Sequence, residues 1–447
     1  MTTAHIEVDH IARIEGHGDI RLSIEDGKVS ECRFEVTEPA RLFESMVKGR
    51  YFEEIPYIAS RVCGICSASH TVTDILAIEH IFDVEVTDRT QALRELLLYG
   101  SYLQNHATHL FVFAAPDFLG HKSVFPLADA NENLFNNALG LKKLGNDLCT
   151  QIGGRSIHPI TAVVGGFTSE ISKSEYLRLA ERLEEAVPFA LSTVDLFNDF
   201  GSVDFKTAGD LFAMVADSTT YKGSLNDQGF PYPIGGSDTA RFLRGDEATG
   251  GAYDIDVQHY EEDIEEYPVD HSAAFLAKAK RTGNTYFASA LSRINASWDG
   301  LTEEARFAAA KAGLRPPEFN PFANNIAQAV EIIDSLVRCA AICRRLAADE
   351  FEGSSKPVDF EIKAGRGVGF TEAPRGALFH DLELDGEGKV VRADIITPTS
   401  QNIANIERDM HDMAVKFVEE DRPESYIQLE IEKLVRAYDP CLSCSVH

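Results

Sequence analysis

Two Cys-x-x-Cys pairs stand at opposite ends of this 447-residue chain, Cys63-Gly64-Ile65-Cys66 near the start and Cys441-Leu442-Ser443-Cys444 at the finish. Within each pair the spacing lets both sulfurs reach one metal ion, and four thiolates make a soft, electron-rich ligand set. If all four serve one centre, the fold must bring its last residues back to a segment that lies 375 positions earlier, counted from Cys66 to Cys441. Structural zinc pairs usually pin a short segment, so this separation calls for a large body whose two ends are tied together. On spacing alone a tetrahedral four-cysteine zinc staple is the favoured reading, because zinc is the commonest occupant of such ligand sets. Eight cysteines in a chain of this length are too few for a disulfide scaffold and favour metal binding in a reducing compartment.

Hydrophobic residues make up 44% of the sequence, enough to bury a large core. Alternating apolar and polar positions on either side of Asp26-Gly27 predict a hairpin within the first forty residues, and a second hairpin is expected around 385–388. The run after Asp88 places apolar residues three and four apart and holds no proline until Pro116, which predicts a long helix. Similar patterns predict helices over 173–197, 270–295 and 323–350, and two more before the terminal cysteines. The stretch 219–266, rich in glycine, proline, tyrosine and acidic residues, reads as a surface excursion. The expected fold class is mainly α with small β-sheets (α+β), a bundle of long helices flanked by sheets from both ends. One domain over 1–447 is the economical division, with a β region at 1–40, a helical body at 70–350 and a C-terminal region at 357–447 that completes the metal site.

The formal charge of −29, from 71 acidic and 42 basic residues, repels phosphate backbones and anionic lipid surfaces, so nucleic acid is excluded as a partner class. No apolar stretch approaches the ~20 residues of a membrane span, and Met1 to Glu7 does not read as a secretory leader. A cytoplasmic protein without a direct membrane span is expected.

Arg61-Val62-Cys63-Gly64-Ile65-Cys66-Ser67-Ala68-Ser69-His70 resembles the RxCGxCxxxH signature of nickel-iron hydrogenase large subunits, and Asp439-Pro440-Cys441-Leu442-Ser443-Cys444-Ser445-Val446-His447 resembles their terminal DPCxxCxxH. Arg13-Ile14-Glu15-Gly16-His17, the segment Gly153-Gly154-Arg155-Ser156-Ile157-His158-Pro159, and Ala373-Pro374-Arg375-Gly376 agree as well, in the family's order. The resemblance implies reversible heterolytic cleavage of hydrogen. It implies nickel on Cys63, Cys66, Cys441 and Cys444, with Cys66 and Cys444 also bridging to an iron that carries carbon monoxide and two cyanide ligands. It implies a magnesium ion held by Glu44, His447 and the backbone carbonyl of Ile396. Arg375, Pro398 and Ser400 would surround the cyanides, His70 would support a bridging thiolate, Asp439 would sit close to Arg375, and Glu15 would accept a proton from the Cys444 thiol.

Where several members of that family carry an aspartate beside the site, this chain has Asn105, so a role assigned to that aspartate does not carry over. Cys32, Cys149, Cys339 and Cys343 read as small buried hydrophobes. There is no second cysteine set for an iron-sulfur chain, so the resemblance implies an iron-sulfur small subunit. It also implies further diaphorase, deazaflavin or heterodisulfide modules, maturation factors and a C-terminal protease. Two other classes remain: a non-catalytic scaffold subunit of the kind found in respiratory complex I, whose members have lost these cysteines, and the zinc-stapled structural protein.

Overall fold

The turn signals at both ends of the sequence become hairpins in the computed structural model, which describes residues 3–214, 235–244 and 251–447. Strands Thr3–Val8, Gly18–Glu25 and Lys28–Val36 form an antiparallel sheet in that order. Asp26 and Gly27 both take positive φ, 48° and 73°, the conformation whose twist matches that of the strands it joins. Ile20, Leu22 and Ile24 alternate onto the buried face. Near the other end, Gly365–Ala373, Gly376–Leu384 and Val390–Ile396 form a second antiparallel sheet with Gly376–Leu384 in the middle.

Between them lie the long helices Ser67–Phe82, Asp88–Thr108, Glu132–Gly153, Lys173–Phe200 and Ala323–Ala347. Several start where a polar side chain can satisfy an amide of the first turn: Thr87 accepts from the Thr90 amide at 3.1 Å, and Ser172 and Glu175 cap each other. Lys173–Phe200 packs along Ala323–Ala347, and Asp88–Thr108 contacts both Glu132–Gly153 and Ala323–Ala347. Beyond Thr108 the helix widens into a π-turn through His109–Ala114, and Pro116 falls in the first turn of the next short helix, Ala115–Phe118.

Residues 270–295 correct the helical expectation. They form the strands Ser272–Ala279 and Tyr286–Ala288 before the short helix Ala290–Ser297. Alanines satisfied the helical spacing by number alone, whereas pairing with Ile264–Val269 and a turn at Gly283, φ 67°, override alanine's helix preference. The body over 70–350 therefore contains a four-stranded sheet, ordered Tyr286–Ala288, Asp210–Met214, Thr239–Leu243, Tyr253–Asp256, whose first pair is parallel. Within 219–266, residues 219–234 and 245–250 lie outside the described residues. The remainder is no mere surface excursion, because Phe242, Ile255 and Tyr260 are buried.

Two packing features place the metal-binding ends. Gly365–Ala373 runs so close to Ser67–Phe82 that a Cβ at Gly369 would lie 1.9 Å from the Thr73 carbonyl oxygen, so only bare backbone fits. The helix that follows Cys66 is thereby fixed to the hairpin that carries Arg375. The helices Pro398–Glu419 and Glu424–Ala437 then return the chain to Cys441. Among the described residues no helix is long and apolar enough to cross a membrane.

Candidate metal centre

Cys66 stands at the N-terminal cap of Ser67–Phe82, where the helix's partial positive charge favours a thiolate. Cys63 follows the single turn Ser60–Val62 in extended conformation, and the amides of Ile65 and Cys66 donate to its Sγ at 3.3 and 3.2 Å. At the other end the Cys444 amide donates to the Cys441 carbonyl at 3.1 Å, and the Cys441 amide to Thr399 Oγ1 at 3.0 Å. The two ends are laced by backbone: Leu442 N to Glu15 O at 2.8 Å, Glu15 N to Pro440 O at 3.4 Å and Arg41 N to Val446 O at 2.7 Å. Cys63 and Cys441 sulfurs thus lie 3.5 Å apart, those of Cys66 and Cys444 3.7 Å apart, and all four lie within 4.8 Å of one another, buried.

Burial raises all these thiols. Bonds from the other three sulfurs and the charge of Arg375 nevertheless pull Cys63 well below the thiol range, while Cys441 and Cys444 stay well above it. Neighbouring sulfurs ionise together only when positive charge is shared among them, so the donor set fits a soft metal cation.

Glu15 reaches this cluster from the N-terminal sheet region. Cys441 Sγ donates to its Oε2 at 2.9 Å, and the Ser443 amide and hydroxyl donate to the same carboxylate at 3.3 and 2.7 Å. The sulfur bonded to Glu15 is therefore that of Cys441, a correction to the expected Cys444. The parallel bridge between Glu15 and Cys441 sets this pairing by bringing those two residues side by side.

Arg375 occupies the two-residue tip, Pro374-Arg375, of the hairpin that pairs Ala373 with Gly376. Its Nε donates to the Asp439 carbonyl at 2.7 Å, Nη2 to Asp439 Oδ1 at 3.0 Å and Nη1 to Asn105 Oδ1 at 2.8 Å. Burial works against its charge, but Asp439 and the nearby cysteines outweigh that and hold it protonated. Gln328 Nε2 donates to the second Asp439 oxygen at 3.0 Å. Asn105 also donates to the Ile65 carbonyl at 3.1 Å, a bond no ionised aspartate could make, and so ties Arg375 to the N-terminal cysteine loop.

His70 bonds through Nδ1 to His380 Nε2 at 3.0 Å, and His380 Nδ1 to Asp74 Oδ1 at 2.6 Å, a buried carboxylate-imidazole-imidazole chain. Burial and the neighbouring His380 push His70 down to about 3, so its ring is neutral. Glu44 Oε1 accepts from the Ile395 amide at 3.0 Å and lies 3.8 Å from His447 Nε2. Burial raises the Glu44 carboxyl and lowers the His447 ring. Because a carbonyl can only accept, His447 Nδ1 carries the proton it donates to Cys444 O at 3.0 Å, which leaves Nε2 bare towards Glu44. The backbone bonded to Glu44 is that of Ile395, one residue before Ile396.

Pro398 opens the helix Pro398–Glu419, and the Ser400 hydroxyl donates to Glu266 Oε1 at 3.1 Å and Thr397 O at 2.9 Å. Thr399, lying between them, is the residue whose hydroxyl touches the cysteine loop. The sequence offered no signal for Thr399 or Gln328. His158 did carry one, in the Gly153 to Pro159 motif: its Nδ1 donates to the Ser60 carbonyl at 3.0 Å and its amide donates to Ser67 Oγ at 2.9 Å, beside the N-terminal cysteine loop.

Fold and site define a metalloprotein whose centre is assembled from both ends of the chain, with a carboxylate bonded to one of its sulfurs and a buried arginine whose charge they share. A family model for nickel-dependent hydrogenase matches residues 41–137 and 323–447, and a HoxL-like model matches 5–38. Sulfhydrogenase 1 subunit alpha of Pyrococcus furiosus is 35% identical over 445 residues, covering 99% of this chain and 97% of that one. Sulfhydrogenase 2 subunit alpha of the same organism is 31% identical over 442 residues, covering 99% and 98%. An NAD+-reducing NiFe-hydrogenase in the H2-reduced state superposes with TM-score 0.83 at 27% identity over the whole of both chains. The Dm. baculatum NiFeSe-hydrogenase, at 22% identity and TM-score 0.74, shares the fold. The chain belongs to the nickel-dependent hydrogenase family and is an enzyme that acts on H2.

Proposed function

We propose that this chain is the catalytic subunit of a cytoplasmic, multisubunit nickel-iron hydrogenase. Cys63, Cys66, Cys441 and Cys444 would hold nickel, and Cys66 and Cys444 would also serve an iron carrying one carbon monoxide and two cyanide ligands. The observation that carries this reading is the convergence of four buried sulfurs with Glu15 and Arg375. When bound, the metal pair supplies the reversible heterolytic cleavage of hydrogen into protons and electrons.

The chain's own residues bind, orient and move the proton. A proton on Cys441 Sγ has a carboxylate oxygen 2.9 Å away at Glu15, and Ser443 holds that carboxylate in place. Among the described residues three of the five N–H groups of Arg375 are engaged, which leaves two for the cyanides. Such donors are fixed before reaction and shielded from water, which makes them worth more than in solution. Pro398 lines the same pocket, and Ser400 acts from the first turn of its helix. His70 supports a bridging thiolate, with its ring oriented by His380 and Asp74. A carboxylate oxygen and a bare imidazole nitrogen 3.8 Å apart support a magnesium ion shared by Glu44 and His447, with the Ile396 carbonyl as the third protein ligand.

Electrons leave through an iron-sulfur small subunit and then a diaphorase, deazaflavin or heterodisulfide module. Supporting a docking face beside His158 are the exposed side chains of Tyr57, Ile157 and Ile160 and an apolar cleft of about 270 Å³ lined by Phe52, Pro56 and Phe360. Nickel and iron in equal amounts, with infrared bands of carbon monoxide and cyanide, are expected from the purified complex. Zinc alone would establish the structural staple instead, and a metal-free, hydrogen-inert complex would establish the scaffold.

A further inference from the structure

Arg293, in the helix Ala290–Ser297, is fully buried, and its contacts lie behind the hairpin that carries Arg375. Its five N–H groups meet five acceptors. Nε and Nη2 form a fork on Glu331 at 2.7 and 2.8 Å, and Nη1 donates to Glu372 Oε2 at 2.9 Å. The other two bonds go to the backbone, from Nη1 to Ala373 O at 3.0 Å and from Nη2 to Pro374 O at 2.8 Å. Those carbonyls belong to the two residues that precede Arg375.

The same carboxylate anchors what Arg375 binds. Glu331 lies one turn from Gln328 on Ala323–Ala347, and Gln328 holds Asp439. His106 follows Asn105 on Asp88–Thr108 and bonds through Nε2 to Glu331 Oε2 at 2.8 Å. Asn105 thus stands on a helix that His106 ties to Glu331, and Asp439, just past the helix Glu424–Ala437, is held by Gln328 on the helix that carries Glu331, so Glu331 and Arg293 connect both acceptors of the Arg375 guanidinium to the hairpin. Stability alone gives little reason for such a cluster, since well-packed apolar side chains replace buried ion pairs at little or no cost.

We infer that Arg293 is a positioning residue that aims Arg375: by gripping the Ala373 and Pro374 carbonyls it holds the hairpin tip where the Arg375 guanidinium meets Asp439, Asn105 and the sulfurs. This rests on the reading of Arg375 given above. An error of about 1 Å in such a group costs on the order of 10²-fold in rate, so even partial loosening is measurable.

The test is a double-substitution cycle in the assembled, metal-loaded complex. Arg293→Lys keeps the charge but has three donors for five acceptors. It is expected to keep nickel and iron, to lower turnover by on the order of 10-fold, and to shift the infrared cyanide bands. On an Arg375→Lys background the same change is expected to cost less than about 2-fold and to leave the bands where Arg375→Lys put them, because coupled residues are not additive. Equal factors in both backgrounds, or unchanged bands and rates in Arg293→Lys alone, overturn the inference. Wild-type turnover in Arg375→Lys alone instead overturns the reading of Arg375. If Arg293→Lys does not fold, Glu372→Gln, which keeps the fork on Glu331 but leaves one acceptor oxygen for the two donors Arg293 Nη1 and the Met214 amide, is measured in the same cycle and judged by the same two outcomes.

Discussion

Three donors meet the carboxylate of Glu15, from Cys441 Sγ, the Ser443 amide and the Ser443 hydroxyl, and only the sulfur can hand over a proton during turnover. Glu15→Gln keeps the shape and most of these bonds while removing the capacity to accept. Metal content and infrared bands are expected to persist, with hydrogen oxidation and evolution both falling by at least about 10²-fold, and Glu15→Asp in between. Near-normal turnover in a fully metalled Gln variant would falsify the assignment. Cys66→Ser and Cys444→Ser each replace a soft sulfur by a hard hydroxyl, so metal analysis is expected to find a lost or incomplete centre and assays no hydrogen uptake. Spacing made all four cysteines legible in the sequence, and the resemblance to the hydrogenase family, rather than its residue type, singled out Glu15. They could not say which sulfur faces the carboxylate, because that depends on the bridge between Glu15 and Cys441, two segments 426 residues apart. Asn105 was legible as a departure but not as a donor to Ile65 and acceptor for Arg375, since a bonding partner across the fold leaves no mark in local sequence.

Hairpins with an Asp-Gly turn and helices with polar caps were readable because their determinants are local, and 270–295 was misread because its deciding contact, the pairing with Ile264–Val269, is not a property of the segment itself. The same dependence on neighbouring elements governs Asp409, on the helix Pro398–Glu419, which accepts from Thr207 Oγ1 at 2.8 Å and from the Tyr438 hydroxyl just before the terminal cysteine loop. Burial, only partly opposed by those two bonds, raises its carboxyl to about 7. Between about pH 4 and 7 the folded chain therefore keeps a proton that the unfolded chain releases, and unfolding free energy falls as pH rises through that window. The slope from this one group is on the order of 1 kcal/mol per pH unit and vanishes above its folded pKa. Asp409→Asn cannot titrate. Thermal midpoints measured from pH 5 to 7.5 are expected to fall more steeply in the wild type than in the Asn variant, and parallel curves would show that Asp409 is ionised throughout.

At the scale of the whole molecule, the centre exists only because the first and last turns of the chain meet, and a glycine is the contact that lets them. Gly16 has φ 86°, a conformation that favours glycine, and a Cβ there would come within 2.7 Å of the Ser443 amide nitrogen and 2.9 Å of Leu442 Cβ. Ser443 is backbone in a tight turn and has nowhere to yield except by pulling Cys441 and Cys444 away from Cys63 and Cys66. The three heavy atoms nearest that Cβ position all belong to Leu442 and Ser443, so the strain falls on the terminal cysteine loop rather than on the large helices. Gly16→Val is therefore expected to leave far-UV circular dichroism near wild type while nickel and iron content falls by at least about half, with hydrogen turnover falling in proportion. Backbone hydrogen exchange in the variant is expected to quicken at the Leu442 and Glu15 amides, which lace the ends together, and to stay unchanged in the Ala323–Ala347 helix. A fully metalled Gly16→Val protein with wild-type exchange at those amides would mean that the ends close the centre without this contact.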